Sequence, residues 1–183
     1  MGRVASGKSA LAQALADELG WPVLSSDRLR KALAGVPLRG RTDAPMRAAL
    51  YSAAMTERTY TTLFESATRL LKEGRSVLLD ATFSRRAHRD RLRKQLKRLG
   101  VSYRFIEAQV SEEIARRRLQ ERDEKPDEIS DARIEDLAAL NRRYEPPREL
   151  RPDRLLVVNT AAAPALTLTE VLKQLARCSS SLP

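Results

Sequence analysis

The sequence predicts an α/β domain with a mainly parallel sheet. Short apolar runs of strand character alternate with longer segments of 3.6-residue periodicity, which is the pattern of successive βα units. A chain of 183 residues can bury one good core, so a single domain over 1–178 with a disordered tail at 179–183 is expected. One cysteine, Cys178, and one histidine, His88, exclude a disulfide framework and any cysteine- or histidine-built zinc site. No 18-residue apolar run and no signal segment is present, so a cytoplasmic protein without a membrane span is expected.

The elements follow in order. Residues 9–19 carry Leu11, Ala14, Leu15 and Leu19 on one helical stripe, and Gly20 stops it. Pro22-Val23-Leu24 is a short strand running into Ser25-Ser26-Asp27. The strongest helix is 56–73, where Tyr60, Leu63, Phe64, Ala67, Leu70 and Leu71 recur at helical spacing and Gly74 closes it. A buried-type strand, 76–80, ends in Asp80. Residues 85–98 form a helix with Leu92, Leu96 and Leu99 inward, and 103–110 form a further strand. Ser111 caps the next helix. After a charged loop at 123–129, Ser130 caps a helix that reaches Tyr144 and ends at Pro146-Pro147. A last strand covers 154–158, and Thr167-x-x-Glu170 is a capping box for a final helix.

The formal charge is +10, and its excess is concentrated in one stretch: residues 85–122 hold 13 basic and 5 acidic side chains. Arginines number 27 against 7 lysines, and arginine is the side chain that forks onto phosphate or carboxylate oxygens. Most of them read as solvated helix faces. A basic balance of this size is also compatible with nucleic acid as a partner.

One motif carries chemistry. Gly2-Arg3-Val4-Ala5-Ser6-Gly7-Lys8-Ser9 satisfies G-x-x-x-x-G-K-[ST], directly before a helix. In this loop backbone N–H groups wrap phosphate oxygens, the lysine neutralises the β/γ charge and the hydroxyl holds Mg²⁺. The motif calls for a buried strand ahead of its first glycine, yet only Met1 stands before Gly2, so the fold is expected to lack its first strand, through a misassigned start or excision from a longer fused polypeptide. Asp27, at a strand C-terminus, faces the loop across the crevice where open α/β sheets bind ligands. It can accept a hydroxyl proton as a γ-phosphoryl group is transferred, or it can merely cap the helix behind it. Arg30, one turn further on, can hold an anionic substrate. Asp80 resembles the acid that holds Mg²⁺ at the end of a neighbouring strand, and its alternative is a strand-ending turn residue. Thr82 can add a hydroxyl to the same rim. Arg85, Arg86 and Arg89 open a helix whose start reaches the crevice. Arg118 and Arg122 share one helix face before the charged loop and can close over phosphates from a lid at about 116–135, although the run Arg116 to Arg118 cannot all point inward.

These segments, together with Ser26 to Lys31, Leu33-Ala34-Gly35, Tyr51-Ser52, Gly74 to Val77, Asp80-Ala81-Thr82-Phe83, Arg118-Leu119 and Ser130-Asp131-Ala132, resemble the zeta-toxin-like P-loop kinases of AAA ATPase type. More narrowly they resemble the ATP-binding domain fused behind aminoglycoside-phosphotransferase-like domains in bacteria. The resemblance spans residues 2–145 or so. It implies a three-layer αβα P-loop kinase fold with an arginine-bearing lid, ATP-Mg²⁺ as phosphoryl donor and a small-molecule or nucleotide-like hydroxyl acceptor. Polynucleotide 5′-hydroxyl kinases are relatives whose Asp-x-x-Arg motif resembles Asp27 to Arg30. Two further readings stand beside a metabolite kinase: a nucleic-acid 5′-end kinase, for which stacking aromatics are scarce in the basic segment, and a nucleotide-binding regulatory module without turnover, for which Asp27 has no use. Residues 36–55 are expected to line the acceptor pocket.

Overall fold

A computed structural model describes residues 1–39, 42–123 and 133–179. Eight helices and four strands are found among them. In order they are α1 (Lys8–Leu19), β1 (Val23–Ser25), α2 (Ser26–Ala34), α3 (Ala44–Leu50), α4 (Ala53–Lys72), β2 (Leu78–Asp80), α5 (Arg86–Arg98), β3 (Phe105–Gln109), α6 (Glu112–Asp123), α7 (Leu137–Arg142), β4 (Leu155–Asn159) and α8 (Pro164–Ser179). Short 3-10 turns precede α7 and β4. The expected cap at Ser130, the charged loop and the terminal tail lie largely outside the described residues.

Local chemistry explains most boundaries. The glycines at 20 and 35 adopt left-handed backbone and close α1 and α2. Ser111 Oγ accepts the Ile114 amide at 3.3 Å, which makes it the cap expected for α6. Helix α4 starts a turn before the expected position because Ser52 caps it, accepting from Met55 N at 3.3 Å. The short helix α3, not foreseen from periodicity, is capped by Asp43 through Met46 N at 2.9 Å and has proline in its first turn. The expected capping box at Thr167 is corrected: α8 already begins at Pro164, and the buried Thr167 hydroxyl donates back to Ala163 O.

All strand pairing is parallel. Strand β1 pairs with β2 in the register Val23–Leu78 to Ser25–Asp80, and β3 pairs with β4 from Phe105–Leu155 to Gln109–Asn159. Strand β2 is shorter than the apolar run 76–80 because β1 offers only three residues before α2 begins. Alternate side chains serve two cores. Leu79, Phe105 and Leu155 join Tyr60, Leu63, Phe64, Leu92 and Leu96 beneath α4 and α5, whereas Leu78, Ile106 and Leu156 join Leu11, Leu15 and Val171 beneath α1 and α8. Helices on both faces of parallel strands make three layers.

Among the described residues the two strand pairs are separate, and the start of the chain bonds to both. The Met1 amino group donates to Ile106 O at 2.7 Å and Met1 O accepts the Ala108 amide at 2.9 Å, while Gly2 N donates to Thr82 O at 3.2 Å, just past β2. Met1 thus runs alongside β3 with the hydrogen bonds of a parallel strand, and Gly2 reaches the end of β2.

Candidate nucleotide and phosphoryl-transfer site

The loop 2–9 connects this gap to α1 and takes the backbone turns that wrap an anion. Gly2 (φ +139°), Ala5 (φ +57°) and Gly7 (φ +81°) all lie at positive φ. A Cβ on Gly2 would collide with the carbonyl of Ala108 and crowd Ser6 Oγ, so the first motif glycine is fixed by a close backbone approach to β3. At Gly7 a Cβ would sit 3.2 Å from Arg118 Nη1 and against Thr160.

The loop opens on a crevice of about 550 Å³ walled by Gly7, Lys8 and Ser9, by Ser26, Asp27 and Arg28, by Asp80 to Thr82, and by Arg122. The loop therefore meets the residues that follow β1 and β2 at the strand C-termini, as the parallel register requires, and Arg122 of α6 adds to the wall. Lys8 Nζ folds back to donate to Arg3 O at 2.7 Å. Burial, and then the cation of Arg122, push its ammonium down to about 8, against the pull of Asp80 and Asp27, so these four charges share one electrostatic neighbourhood. Asp27 lies inside the first turn of α2, with Ser25 in the capping position, so a purely capping role does not describe it.

The arginines divide. Arg118 Nη2 donates to Thr160 O at 2.6 Å and Nη1 to Ala5 O at 3.4 Å, tying α6 to the phosphate loop and to the residue after β4. Burial and the neighbouring cations of Arg122 and Arg117 lower its pKa. Arg30 is buried in the wall behind the crevice, where Nη1 donates to Leu50 O at 2.8 Å and to Thr56 Oγ1 at 3.3 Å, and its guanidinium lies over the Tyr51 ring. Arg85 and Arg86 are exposed at the start of α5, where Arg86 Nε bonds Asp90 at 3.2 Å, and neither lines the crevice.

Arg89 is placed quite differently from its expected position on the rim. It is fully buried, forms a two-pronged pair with Glu149 at 2.5 and 3.1 Å, and donates to the carbonyls of Phe83 at 2.8 Å and Glu145 at 3.0 Å. Its fork fastens α5 to the chain after α7 and leaves no donor pointing at the crevice. The same holds in milder form on the outer face of α5, where Arg91 pairs with Glu57 and Arg93 with Asp90. Ion pairing there takes up part of the basic excess that suggested a nucleic-acid partner.

Two contributors escaped sequence reasoning. The buried Thr160 hydroxyl donates to Ser6 O at 2.5 Å, and its amide donates to Gln109 O at 2.9 Å, so it pins the loop's underside. Its only sequence signal is a hydroxyl directly after a strand C-terminus. The buried Tyr60 hydroxyl accepts the Phe83 amide at 3.0 Å and fixes the turn after Asp80, where Phe83 itself stands at φ +47°. Tyr60 reads in sequence as ordinary helical core.

A phosphate-binding loop between parallel strands, faced by acids at two neighbouring strand ends and sandwiched between helical layers, defines a domain of P-loop kinase fold. The chain belongs to the AAA domain family, whose model matches residues 1–147. Solved structures agree on the fold. A gluconokinase from Sinorhizobium meliloti 1021 superposes with a TM-score of 0.68 at 24% identity, covering 97% of this chain and 89% of that one. A sugar kinase from Janibacter sp. HTCC2649 gives 0.66 at 21% identity over 96% and 91%, and the Mycobacterium tuberculosis APS kinase in complex with AMPPNP and APS gives 0.64 at 23% over 96% and 94%. No curated protein matches the chain. Among the described residues no helix is long and apolar enough to cross a membrane.

Proposed function

We propose that this domain is an ATP-dependent kinase that transfers a phosphoryl group to a hydroxyl of a small-molecule or nucleotide-like acceptor. The observation that carries this reading is the meeting of Lys8, Asp27 and Asp80 in one crevice at the mouth of the phosphate loop. Loop amides and Lys8 bind the β- and γ-phosphates. The Asp27 carboxylate takes the acceptor proton as the hydroxyl oxygen bonds to the γ-phosphorus and the bond to the β–γ bridging oxygen breaks, releasing ADP. Arg122 lines the crevice and adds positive charge near the transferring group, while Arg118 holds the loop from behind. Arg30 shapes the acceptor wall rather than its lining.

The hydroxyl of Ser9 and the carboxylate of Asp80 are hard oxygen donors on the same crevice, a donor set that suits Mg²⁺ completed by water and phosphate oxygens. When bound, the ion neutralises charge on the β- and γ-phosphates.

Two of the structural neighbours are named as kinases of sugars or of gluconate, so polyols and sugars head the acceptor candidates. The test is a γ-phosphate transfer screen against sugars, nucleosides, nucleotide sugars and 5′-hydroxyl oligonucleotides. The wild type is expected to label one class. Asp27→Asn is expected to lose about 10²–10⁴-fold in kcat while still binding ATP, and Lys8→Ala to lose ATP affinity as well. An Asp27→Asn protein that transfers phosphate at the wild-type rate would leave only a nucleotide-binding module. Labelling of oligonucleotides alone, with activity collapsing between low and moderate salt, would shift the acceptor to nucleic acid.

A further inference from the structure

A second cavity, of about 320 Å³, is walled by Arg3, Val4 and Ser6 of the phosphate loop, by the end of β3 from Glu107 on, and by Asn141 of α7 with Tyr144 just beyond it. Among the described residues Val4 is the one that also walls the nucleotide crevice, so the two spaces are neighbours with separate linings. The volume stands at the lower end of the roughly 300–1,000 Å³ spanned by small-molecule pockets. Apolar wall comes from Val4, Val110, Ala115 and the Pro146-Pro147 pair.

The polar part of the lining is rich in acceptors, and much of its donor capacity is spent. Glu107 is buried on the face of β3 that also carries Phe105, and its carboxylate accepts from the Tyr144 hydroxyl at 2.5 Å and from Gln109 Nε2 at 3.0 Å. Burial, and then the bond to Glu107, push the Tyr144 phenol above its ordinary pKa, so its proton stays committed to the carboxylate. Each carboxylate oxygen keeps a further lone pair. Two more polar atoms of the wall residues, the Ser6 hydroxyl and Asn141 Oδ1, are buried with no hydrogen-bond partner, which is costly to leave unmet. Arg3, the basic residue of the lining, is exposed and lays its guanidinium over the Tyr144 ring, 5.6 Å from the centroid. Glu112, also exposed, is paired with Arg116 at 2.9 Å.

We infer that this cavity is a second binding site, separate from the nucleotide crevice, for a neutral, hydroxyl-rich molecule of about monosaccharide size. Hydroxyl groups supply what the wall lacks: protons for Asn141 Oδ1 and for the open lone pairs of Glu107, and a partner of either sense for Ser6. An anion of the same size would meet the buried Glu107 charge, with only an exposed guanidinium to offset it. The apolar wall suits the C–H faces of a sugar or cyclitol ring. Lys8, Asp27, Asp80 and Arg122 all lie outside this lining, so the site is independent of the reaction assigned above.

The experiment uses the 183-residue Asp27→Asn protein, so that binding is read without turnover. Sorbitol, glucose, galactose and inositol are titrated in turn, with gluconate and glucuronate as anionic counterparts, while backbone amide NMR shifts are followed. At least one neutral compound is expected to shift the Ala108, Gln109 and Val110 amides saturably, and each anion to bind about tenfold or more weakly. Asn141→Leu is expected to weaken the neutral compound about tenfold and to leave ATP affinity within about twofold of the parent. Glu107→Gln is expected to bring neutral and anionic compounds within about threefold of each other, a change that a merely structural Glu107 would not produce. No saturable shift from any neutral compound, shifts confined to Ser26 to Arg28 and Asp80 to Thr82, or a parent protein that prefers the anions would each overturn the inference. Should one variant fail to fold, the other decides. Neutral binding in the cavity of a protein whose wild type transfers no phosphate would keep this site and remove the kinase reading.

Discussion

Gly2 is the residue on which backbone geometry bears most heavily. Its positive φ and the proximity of the Ala108 carbonyl make any side chain a steric and conformational fault at once. Gly20, also at positive φ, has open space around its missing Cβ and serves as the natural control. Gly2→Ala is expected to lower stability by about 2–3 kcal/mol, and Gly20→Ala by about 1 kcal/mol, read from urea midpoints. Equal losses would mean that the close approach to β3 does not exist. Thr160 makes a second residue-scale case. Thr160→Val keeps the shape, removes the hydroxyl that holds Ser6 O, and is expected to weaken ATP binding about five- to tenfold with little loss of stability, since one such hydrogen bond contributes about 1 kcal/mol. Calorimetric titration with ATP checks it.

At the scale of elements, the buried pair between Arg89 on α5 and Glu149 beyond α7 braces that helix against the chain that follows α7. Glu149 is held below its usual carboxylate pKa by the Arg89 fork, although burial opposes it. Glu149→Leu would leave a guanidinium buried without its counter-charge, and the expected loss is about 3 kcal/mol; the double change Arg89→Met with Glu149→Leu should cost less than the sum of Arg89→Met and Glu149→Leu made singly. Denaturant unfolding of the three variants tests this, and strict additivity would refute the coupling. Much of the element pattern was legible because it is local: apolar spacing announced α1, α4 and α5, and Ser111 announced the start of α6. Helix α3 was not, because it is short and depends on the Asp43 cap rather than on a stripe. The arginine at 89 was misplaced for a related reason, since a guanidinium's destination depends on an acid sixty positions away, and helix position alone turned it towards the crevice.

For the molecule as a whole, two lowered amines set a pH dependence. The Met1 amino group titrates at about 5 instead of 8.0, and Lys8 at about 8 instead of 10.5. In both windows the unfolded chain binds more protons than the folded one, so stability contributed by these groups rises from pH 5 to 8 and again from 8 to 10.5. ATP phosphates beside Lys8 favour its charged form, so the upper rise is expected to flatten when ATP is bound and to vanish in Lys8→Met. Thermal midpoints across pH 5–10.5, with and without ATP, measure both effects, and an upper rise that survives Lys8→Met would assign it elsewhere.

The sequence by itself determined the phosphate loop, the helical layers, the parallel βα order and the two acids at strand ends, because each is encoded in contiguous residues whose periodicity or spacing has a direct physical reading. Tertiary structure alone decided which charges share the crevice. It set Arg118 against a loop carbonyl more than a hundred residues earlier, buried Arg89 and Arg30 in walls, and brought Thr160 beneath the loop. It also laid Met1 along β3 and Gly2 against the end of β2. Hydrogen-bond partners far apart in the chain leave no periodic trace, and only the folded backbone brings them within the roughly 3 Å at which they act.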